Sequence, residues 1–268
     1  MTILTVNTGS SSIRLAMFAP GLGRLADAYY PGAGADPTAR LKEFLRDYDV
    51  PRVTVVAHRI VHGGSRLIAP CLLDDDVETE IRRLAPLAPL HNPLALAWLA
   101  ASRAVLGETV AQVAVFDTAF YANLPEVAAT YALPREFRRK HSIRRYGFHG
   151  LAHQALWQRW RELRPEVRDG GRAISLQLGA GCSITAVNCG RPVDTSMGFS
   201  PLEGLVMATR CGDIDPGLLM FLQRAEGLTT EQLEHLLNHE SGLLGLSGAS
   251  ADMQRLLESQ DPLARLAV

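Results

Sequence analysis

Arginine and histidine side chains occur in short segments whose neighbours would position them for chemistry on an anion. Arg59 lies in the segment His58-Arg59-Ile60-Val61-His62-Gly63-Gly64, which follows a strand-like run. Arg210 lies in a loop with two carboxylates. His149 lies in a tight Gly-Phe-His-Gly turn, a position that packing alone does not explain. Because a guanidinium matches carboxylate and phosphate geometry, these side chains are candidate anion binders. An ordinary surface ion pair is the alternative for Arg59.

Two glycine turns could present consecutive backbone N–H groups to a phosphate. They are Gly9-Ser10-Ser11-Ser12 near the start and Gly179-Ala180-Gly181-Cys182-Ser183 in the second half. Such turns form anion-binding nests, although either alone is also typical of a hairpin. Arg14 follows the first turn on an alternating strand and would add a fixed positive charge. Two such turns facing each other across a cleft would suit a nucleotide polyphosphate.

A carboxylate closes one of the buried strands. Asp117 follows Val113-Ala114-Val115-Phe116, and open α/β sheets place ligands at the carboxyl ends of their strands. The same aspartate could instead cap a helix that begins at Thr118, since aspartate is favoured at that position. The local sequence supports both interpretations.

Strands and helices alternate in a way that predicts a mixed α/β fold. We predict strands at residues 3–7, 12–18, 24–30, 53–57 and 113–116, and helices at residues 39–48 and after Asn92-Pro93. Asn92 and Asp215 are expected to cap helices that begin at the prolines following them, Gly107 to end the first of these, and Asp261-Pro262 to begin another. A second series of strands repeats the opening order of strand, glycine turn and strand, at residues 173–178, 183–188 and 192–196. This repetition predicts a duplicated architecture with two domains, residues 1–150 and residues 151–268.

The composition is that of a folded protein and excludes several classes. The 268 residues include 27 Lys and Arg against 28 Asp and Glu, a net charge of −1 that argues against a basic nucleic-acid binder. No run of about eighteen apolar residues is free of charge and proline, so we expect no membrane span. Four cysteines without a Cys-x-x-Cys pair favour free thiols in a reducing cytoplasm over zinc or disulfides.

Eight segments, in order along the chain, resemble motifs of the acetokinase family. One is Val6-Asn7-Thr8-Gly9-Ser10-Ser11-Ser12, and another is Val115-Phe116-Asp117-Thr118-Ala119-Phe120. The others are at residues 57–64, 87–93, 143–150, 193–199, 201–216 and 241–248. The resemblance implies a duplicated α/β fold of the actin, hexokinase and heat-shock ATPase type, with the second domain incomplete.

The resemblance also implies an activity and a set of site residues. The activity is reversible transfer of the γ-phosphoryl group of ATP to acetate, giving acetyl phosphate and ADP with the help of Mg²⁺. Asp117, His149 and Arg210 match catalytic positions of the family, and Asn7 matches a metal-binding position. Arg59 matches the arginine that binds the substrate carboxylate, and the apolar pocket for the acetate methyl group corresponds to Val61, Leu90, Phe148 and Pro201. The nucleotide contacts correspond to Arg14, Gln177, Leu178, Gly179, Ala180, Gly181, Asp252, Met253 and Gln254.

The expected role of Asp117 follows from the charge of acetate, the substrate that the resemblance implies. Acetate is already ionised at neutral pH, since carboxyl groups have pKa values near 4. A base is therefore not needed to activate it. We expect Asp117 to orient an arginine, Mg²⁺ or water rather than to remove a substrate proton.

Departures from the family pattern occur on the nucleotide side and at the end of the chain. Arg14 replaces a lysine, Gln177-Leu178-Gly179-Ala180-Gly181 replaces His-Leu-Gly-Asn-Gly, and Gln254 replaces an arginine. Family members continue beyond the position of Val268, so we expect the isolated chain to be marginally stable and a poor catalyst. Three functions stay open: an acetate kinase, a silent relative that binds a small anion or a partner subunit, and a propionate or butyrate kinase. The resemblance also implies a homodimer.

Overall fold

The computed structural model describes residues 1–9, 12–32, 36–48 and 52–268, and the chain forms two compact units, Met1–Ala122 and Asn123–Val268. Ser10 and Ser11 of the first glycine turn lie outside the described residues. The domain boundary that we predicted at residue 150 differs from this division. Residues 123–150 belong to the second unit because their backbone bonds there: the Tyr146 N–H donates to the Gly198 carbonyl at 2.9 Å.

Within its described residues, the first unit contains a six-stranded sheet in the order β3-β2-β1-β4-β6-β5. Strand β1 is parallel to β4, and β4 is parallel to β6, whereas the other neighbours are antiparallel. The strands are β1 (Ile3–Thr8), β2 (Ser12–Phe18), β3 (Arg24–Pro31), β4 (Val55–Ile60), β5 (Cys71–Leu72) and β6 (Ala111–Phe116). The α-helices are α1 (Pro37–Asp47), α2 (Asp75–Arg83) and α3 (Asn92–Leu106), and 3₁₀ helices span Ala85–Leu87 and Asp117–Tyr121.

Alternation along the strands explains how this sheet packs. Leu4 and Val6 of β1 are buried, while the residues between them face the other side of the sheet. Phe44 of α1 and Trp98 of α3 complete the same hydrophobic cluster. The parallel order of β1, β4 and β6 places the carboxyl ends of these strands at one edge, so residues that follow them come close together.

Within its described residues, the second unit contains a three-stranded antiparallel sheet in the order β7-β8-β9. The strands are β7 (Arg172–Leu178), β8 (Cys182–Asn188) and β9 (Arg191–Thr195). The α-helices are α4 (Glu126–Ala129), α5 (Arg135–Lys140), α6 (Gly150–Leu163), α7 (Pro216–Ala225), α8 (Thr230–His235), α9 (Gly242–Ser247), α10 (Met253–Glu258) and α11 (Pro262–Ala267). A 3₁₀ helix spans Arg168–Gly170, and a π-helical turn spans Leu236–Glu240. The predicted second series of strands is confirmed, with the same antiparallel order as β1, β2 and β3.

Most predicted helix ends are also confirmed. Asp215 caps α7 by accepting from the Gly217 N–H at 2.7 Å, and Gly107 ends α3 with φ +90°. The predicted cap of α3 is wrong, because Asn92 is the first helical residue and its buried amide bonds instead to the backbone of His62. Every helix in the described part of the chain is too short or too polar to cross a bilayer.

Candidate active site

Three polar side chains of the first unit lie in one row across neighbouring strands. Asn7 of β1 pairs in register with Arg14 of β2 on one side and with Arg59 of β4 on the other. Residues that pair in register project from the same face of a sheet. The Arg14 guanidinium also lies over the ring of Tyr29, 5.3 Å from its centroid. The row therefore presents two cations with a neutral amide between them.

Arg59 forms a bidentate ion pair with Asp117. Its Nε donates to Oδ1 at 3.0 Å, and its Nη2 donates to Oδ2 at 2.5 Å. Its Nη1 donates to Oδ1 of Asn7 at 3.0 Å. Asp117 is 1% exposed, and the Arg59 side chain is 21% exposed. Burial alone would lower the pKa of Arg59, but the charge and hydrogen bonds of Asp117 outweigh burial and raise it.

This pairing decides between the two interpretations of Asp117. The residue is the first of the 3₁₀ helix Asp117–Tyr121, and the cap position belongs to Phe116. Thr118 anchors the same turn by accepting from the Gly63 N–H at 3.0 Å. The carboxylate therefore holds Arg59 rather than a helix end, which agrees with the expectation that Asp117 orients an arginine.

In the second unit, His149 and Arg210 meet at the glycine turn between β7 and β8. A Cβ on Gly181 would lie 3.5 Å from Arg210 Nη1 and 3.7 Å from His149 Nε2. The turn is closed by the Gly179 N–H, which donates to the Gly181 carbonyl at 3.2 Å. His149 precedes α6 in the left-handed conformation, with φ +57°. The two side chains that the sequence indicated separately thus flank one glycine turn.

Arg210 is buried without a carboxylate. It is 8% exposed, and its Nη1 donates to the Pro201 carbonyl at 3.1 Å. In the described ranges, which omit residues 10–11, 33–35 and 49–51, no ion pair involves Arg210. Burial lowers the pKa of its guanidinium below the ordinary value for arginine. Arg210 therefore carries its charge in a place that favours an added anion.

A half-buried polar cluster supports the loop that carries Pro201. The Tyr131 hydroxyl bonds to Glu203 and accepts from the Phe199 N–H at 2.8 Å. Arg145 Nη2 donates to Glu203 at 2.7 Å. Burial and the neighbouring Glu203 carboxylate raise the pKa of Tyr131, so the phenol stays protonated. No local sequence signal marks this cluster, because its members are far apart along the chain.

The remaining predicted residues differ in burial, from exposed to fully buried. Asp252 caps α10 by accepting from the Gln254 N–H at 2.9 Å, and Met253 is 44% exposed. Leu178 is exposed at the end of β7, opposite Cys182, and Gln177 pairs with Ser183. Val61 and Phe148 are buried, while Leu90, Gln177 and Pro201 are half-buried.

Two buried residues beside His149 were not among the predicted site residues. His153 lies one helical turn further along α6, and Ser183 lies on β8 immediately after the glycine turn. Ser183 Oγ is 2.9 Å from His149 Nδ1. The His-x-x-x-His spacing at the start of a helix was the available signal, since residues four apart share a helix face.

The sequence matches one protein family over most of its length. Residues 35–267 match the model of the acetokinase family. The chain is 48% identical over 220 residues to the acetate kinase of Chloroherpeton thalassium, covering 81% of this chain and 53% of that protein. It is 41% identical over 301 residues to the acetate kinase of Streptomyces griseus, covering 99% of this chain and 73% of that protein. The chain thus spans about half to three quarters of the length of these relatives.

Solved structures are similar over the whole chain. The acetate kinase of Porphyromonas gingivalis has a TM-score of 0.83 and 33% identity, over 99% of this chain and 75% of that chain. A propionate kinase from Francisella tularensis has a TM-score of 0.89 and 34% identity, over 99% of this chain and 76% of that chain. The predicted α/β fold of the actin, hexokinase and heat-shock ATPase type is confirmed.

Proposed function

The chain belongs to the acetokinase family, and we propose that it transfers the γ-phosphoryl group of ATP reversibly to acetate, forming acetyl phosphate and ADP. The observation that carries the proposal is the buried Arg210 guanidinium, which lies with His149 against Gly181. A buried cation is costly unless an anion joins it. A phosphoryl group at the glycine turn would supply that anion.

Phosphoryl transfer depends on positioned charge more than on covalent chemistry. Its loose transition state carries charge on the equatorial oxygens of the migrating group. Donors that are fixed beforehand stabilise such charge without reorganising during the reaction. Arg210 and His149 fit this role because the glycine turn lets both side chains approach without an intervening Cβ. We therefore assign the transition-state contacts to Arg210 and His149.

On the acetate side, Arg59 fits the substrate carboxylate. Asp117 occupies the Nε and Nη2 edge of the guanidinium and fixes its plane. Because both Asp117 oxygens accept from Arg59, the aspartate acts by holding this cation and not as a base. The contacts of the acetate methyl group that we propose are Val61, Leu90, Phe148 and Pro201.

Magnesium fits an oxygen donor of the first unit. The Asn7 amide oxygen is a hard ligand of the kind that Mg²⁺ takes, whereas the Asp117 carboxylate is already held by Arg59. Among the described residues, no group of three or more His, Cys, Asp or Glu could hold a metal. Mg²⁺ commonly keeps several waters and substrate phosphates among its ligands. When bound, Mg²⁺ would neutralise charge on the phosphates of ATP, and Asn7 would orient it.

The nucleotide contacts that we propose surround the second glycine turn and α10. Backbone N–H groups of residues 179–181 would approach the phosphates, and Arg14 of the first unit would add charge. Asp252 holds the first turn of α10, which keeps Met253 and Gln254 in fixed positions. Gln254 lacks the charge that the family carries there. Nucleotide affinity is therefore expected to be weaker than in relatives with the arginine.

A hydroxylamine trap tests the activity and the choice of acid. The chain is incubated with Mg·ATP, hydroxylamine and acetate, propionate or butyrate, and the acyl hydroxamate is measured. Acetohydroxamate should form fastest. One methylene is worth only about 1–3 kcal/mol in an apolar pocket, so propionate should react more slowly but measurably. Faster reaction with propionate would make the chain a propionate kinase, like the Francisella relative by name.

A silent relative is the remaining alternative, and direct binding distinguishes it. Titration calorimetry with Mg·ATP should give a saturable binding curve if the chain is a kinase. Absence of both binding and hydroxamate would contradict the proposal. The family resemblance also leads us to propose that the protein is cytoplasmic and forms a homodimer. Sedimentation of the purified chain would test the homodimer.

A further inference from the structure

Behind His149 lies a chain of four polar side chains joined by hydrogen bonds. His149 Nδ1 is 2.9 Å from Ser183 Oγ, which is 2.8 Å from His153 Nε2. His153 Nδ1 is in turn 2.8 Å from Ser175 Oγ. His153 and Ser183 are both 0% exposed, so the centre of the chain is shielded from water. We call these residues the His149 relay.

The local fold brings the His149 relay together. His149 is the residue immediately before α6, and His153 lies in the first turn of the helix, so both stand at its N-terminal end. Ser175 and Ser183 lie on the antiparallel neighbours β7 and β8. Their side chains project from the face of the hairpin opposite the exposed residues of β7. Helix α6 packs against β7. Three of the four members of the relay therefore lie on a helix or a strand, and His149 lies in the turn that leads into α6.

The hydroxyl of Ser183 limits where the protons can be. It has one hydrogen and two imidazole neighbours, so it donates to one ring and accepts from the other. If it donates to His149 Nδ1, then His153 Nε2 carries a hydrogen and neutral His149 is protonated on Nε2. If it donates to His153 Nε2, then His149 donates through Nδ1, and neutral His149 has no hydrogen on Nε2. The two arrangements give His149 opposite hydrogen-bonding properties on the side of Gly181.

Two features favour a neutral His149, and its expected role as a donor places the hydrogen on Nε2. The ring lies at the N-terminus of the 14-residue helix α6, where the helix dipole disfavours a positive charge. Arg210 approaches the same glycine and disfavours it further. A neutral ring can donate to a phosphoryl oxygen only through a protonated nitrogen, and Nε2 is the nitrogen on the Gly181 side.

Building on the proposed function, we propose that Ser183 and His153 are positioning residues of the phosphoryl transfer. The Ser183 hydroxyl donates to Nδ1 of His149 and fixes the ring plane and its tautomer. His153 holds the Ser183 hydroxyl in the donating orientation, and Ser175 holds His153. His149 then presents a neutral Nε2–H donor at the glycine turn.

Nitrogen-15 NMR of the full chain tests the tautomer without requiring turnover. At neutral pH, His149, assigned through the loss of its signals in His149→Gln, should show a protonated Nε2 and an unprotonated Nδ1. Ser183→Ala should shift both resonances toward a mixture of tautomers, and Ser183→Thr should restore the wild-type pattern. Ser102→Ala is the matched control, because Ser102 is equally buried and donates to the Trp98 carbonyl. It should leave His149 unchanged.

Kinetics provide the second readout. Ser183→Ala should lower kcat roughly 10–100-fold, the range expected when a supporting partner is removed, with little change in KM for acetate or ATP. Ser183→Thr should recover most of the loss, and Ser175→Ala should lose less than Ser183→Ala. If Ser183→Ala does not fold, the proposal is tested by the kcat of Ser175→Ala and by the tautomer of His149 in the wild-type spectrum.

Three results would overturn the proposal. They are an unprotonated Nε2 in the wild type, an unchanged His149 spectrum in Ser183→Ala, and a kcat loss that Ser183→Thr fails to recover. A wild-type chain without kinase activity would contradict the proposed function, whereas the NMR result would still test the tautomer independently.

Discussion

At the scale of single residues, the half-buried Arg59 and the buried Arg210 differ in what surrounds them. Arg59 has a carboxylate partner in Asp117 and an amide partner in Asn7. Arg210 has the Pro201 carbonyl and, among the described residues, no carboxylate. An arginine with a fixed partner is already oriented, while an arginine without one gains most from an incoming anion. We therefore expect Arg59 to select and orient the acid, and Arg210 to act on the migrating phosphoryl group.

Replacing Asp117 with asparagine tests this division. The substituted side chain would be a neutral amide, so Arg59 would lose its bidentate partner, and the acetate KM should rise. Because misplacement by about 1 Å can cost about 10²-fold in rate, kcat should fall by a similar factor. Steady-state kinetics of Asp117→Asn measure both effects, with exposed Asp76→Asn as the control. Wild-type values of kcat and KM in Asp117→Asn would contradict the assignment.

The site was only partly predictable from the sequence. Arg59, Asp117, His149 and Arg210 could be selected because their segments are distinctive. The ion pair between Arg59 and Asp117 could not, since 58 residues separate them and only the parallel pairing of β4 and β6 brings them together. The contact of His149 with Ser183 depends in the same way on α6 packing against β7 and β8.

At the scale of elements, strands and caps were predictable because their signals are local. Alternation located β1, β2, β7 and β8 to within a residue or two, and Asp-Pro pairs marked the starts of α7 and α11. The cap predicted at Asn92 was wrong because a tertiary contact uses its side chain: the amide bonds to the backbone of His62 in the loop after β4. The loop around Pro201 carries no local signal, since its support comes from Tyr131 and Arg145.

Gly198→Ala should disturb that loop. A Cβ at residue 198 would overlap the Glu203 carboxylate and the Tyr131 hydroxyl. Overpacking of this kind costs about 1–3 kcal/mol of unfolding free energy. Urea denaturation measures it, with Gly23→Ala as the control because a Cβ there meets open space. Equal loss in both variants would contradict this account of the loop.

His58 predicts how stability changes with pH. Burial lowers the pKa of His58 from 6.5 to about 4, and its Nε2 is 2.7 Å from Gln112 Oε1. Between these values the unfolded chain binds the proton and the folded chain does not, so unfolding free energy falls as pH falls from 6.5 toward 4. The pKa difference of His58 corresponds to up to ~3 kcal/mol of unfolding free energy.

Urea denaturation at pH 7 and at pH 5 measures this dependence. His58→Gln should lose a large part of it, since glutamine does not titrate. His141→Gln, at an exposed histidine of the second unit, should retain the wild-type dependence. An unchanged dependence in His58→Gln would show that other groups are responsible.

At the scale of the whole molecule, each unit contains three consecutive antiparallel strands, but their sheets differ in how well they are covered. In the first unit, helices α1 and α3 cover β1. In the second unit, β7 is an edge of the described sheet, and Ile174, Leu176 and Leu178 are 64%, 48% and 66% exposed. An apolar face on an edge strand favours association with other chains.

Ile174→Lys should reduce that association, because a charge on an edge strand opposes pairing. Sedimentation velocity should show fewer large species, and the binding of an apolar fluorescent dye should fall. Val127→Lys is the control, since Val127 is 91% exposed but lies on the separate helix α4. A larger effect from Val127→Lys would locate the associating surface elsewhere.

The most direct measurement of the central claim is acetohydroxamate formation by the wild type, Arg210→Ala and Arg191→Ala. Arg191 is an exposed arginine at the start of β9 and serves as the matched control. The account predicts roughly 10²–10³-fold slower formation in Arg210→Ala, as when a fixed transition-state donor is lost, and near wild-type rates in Arg191→Ala. Equal rates in Arg210→Ala and the wild type would contradict it.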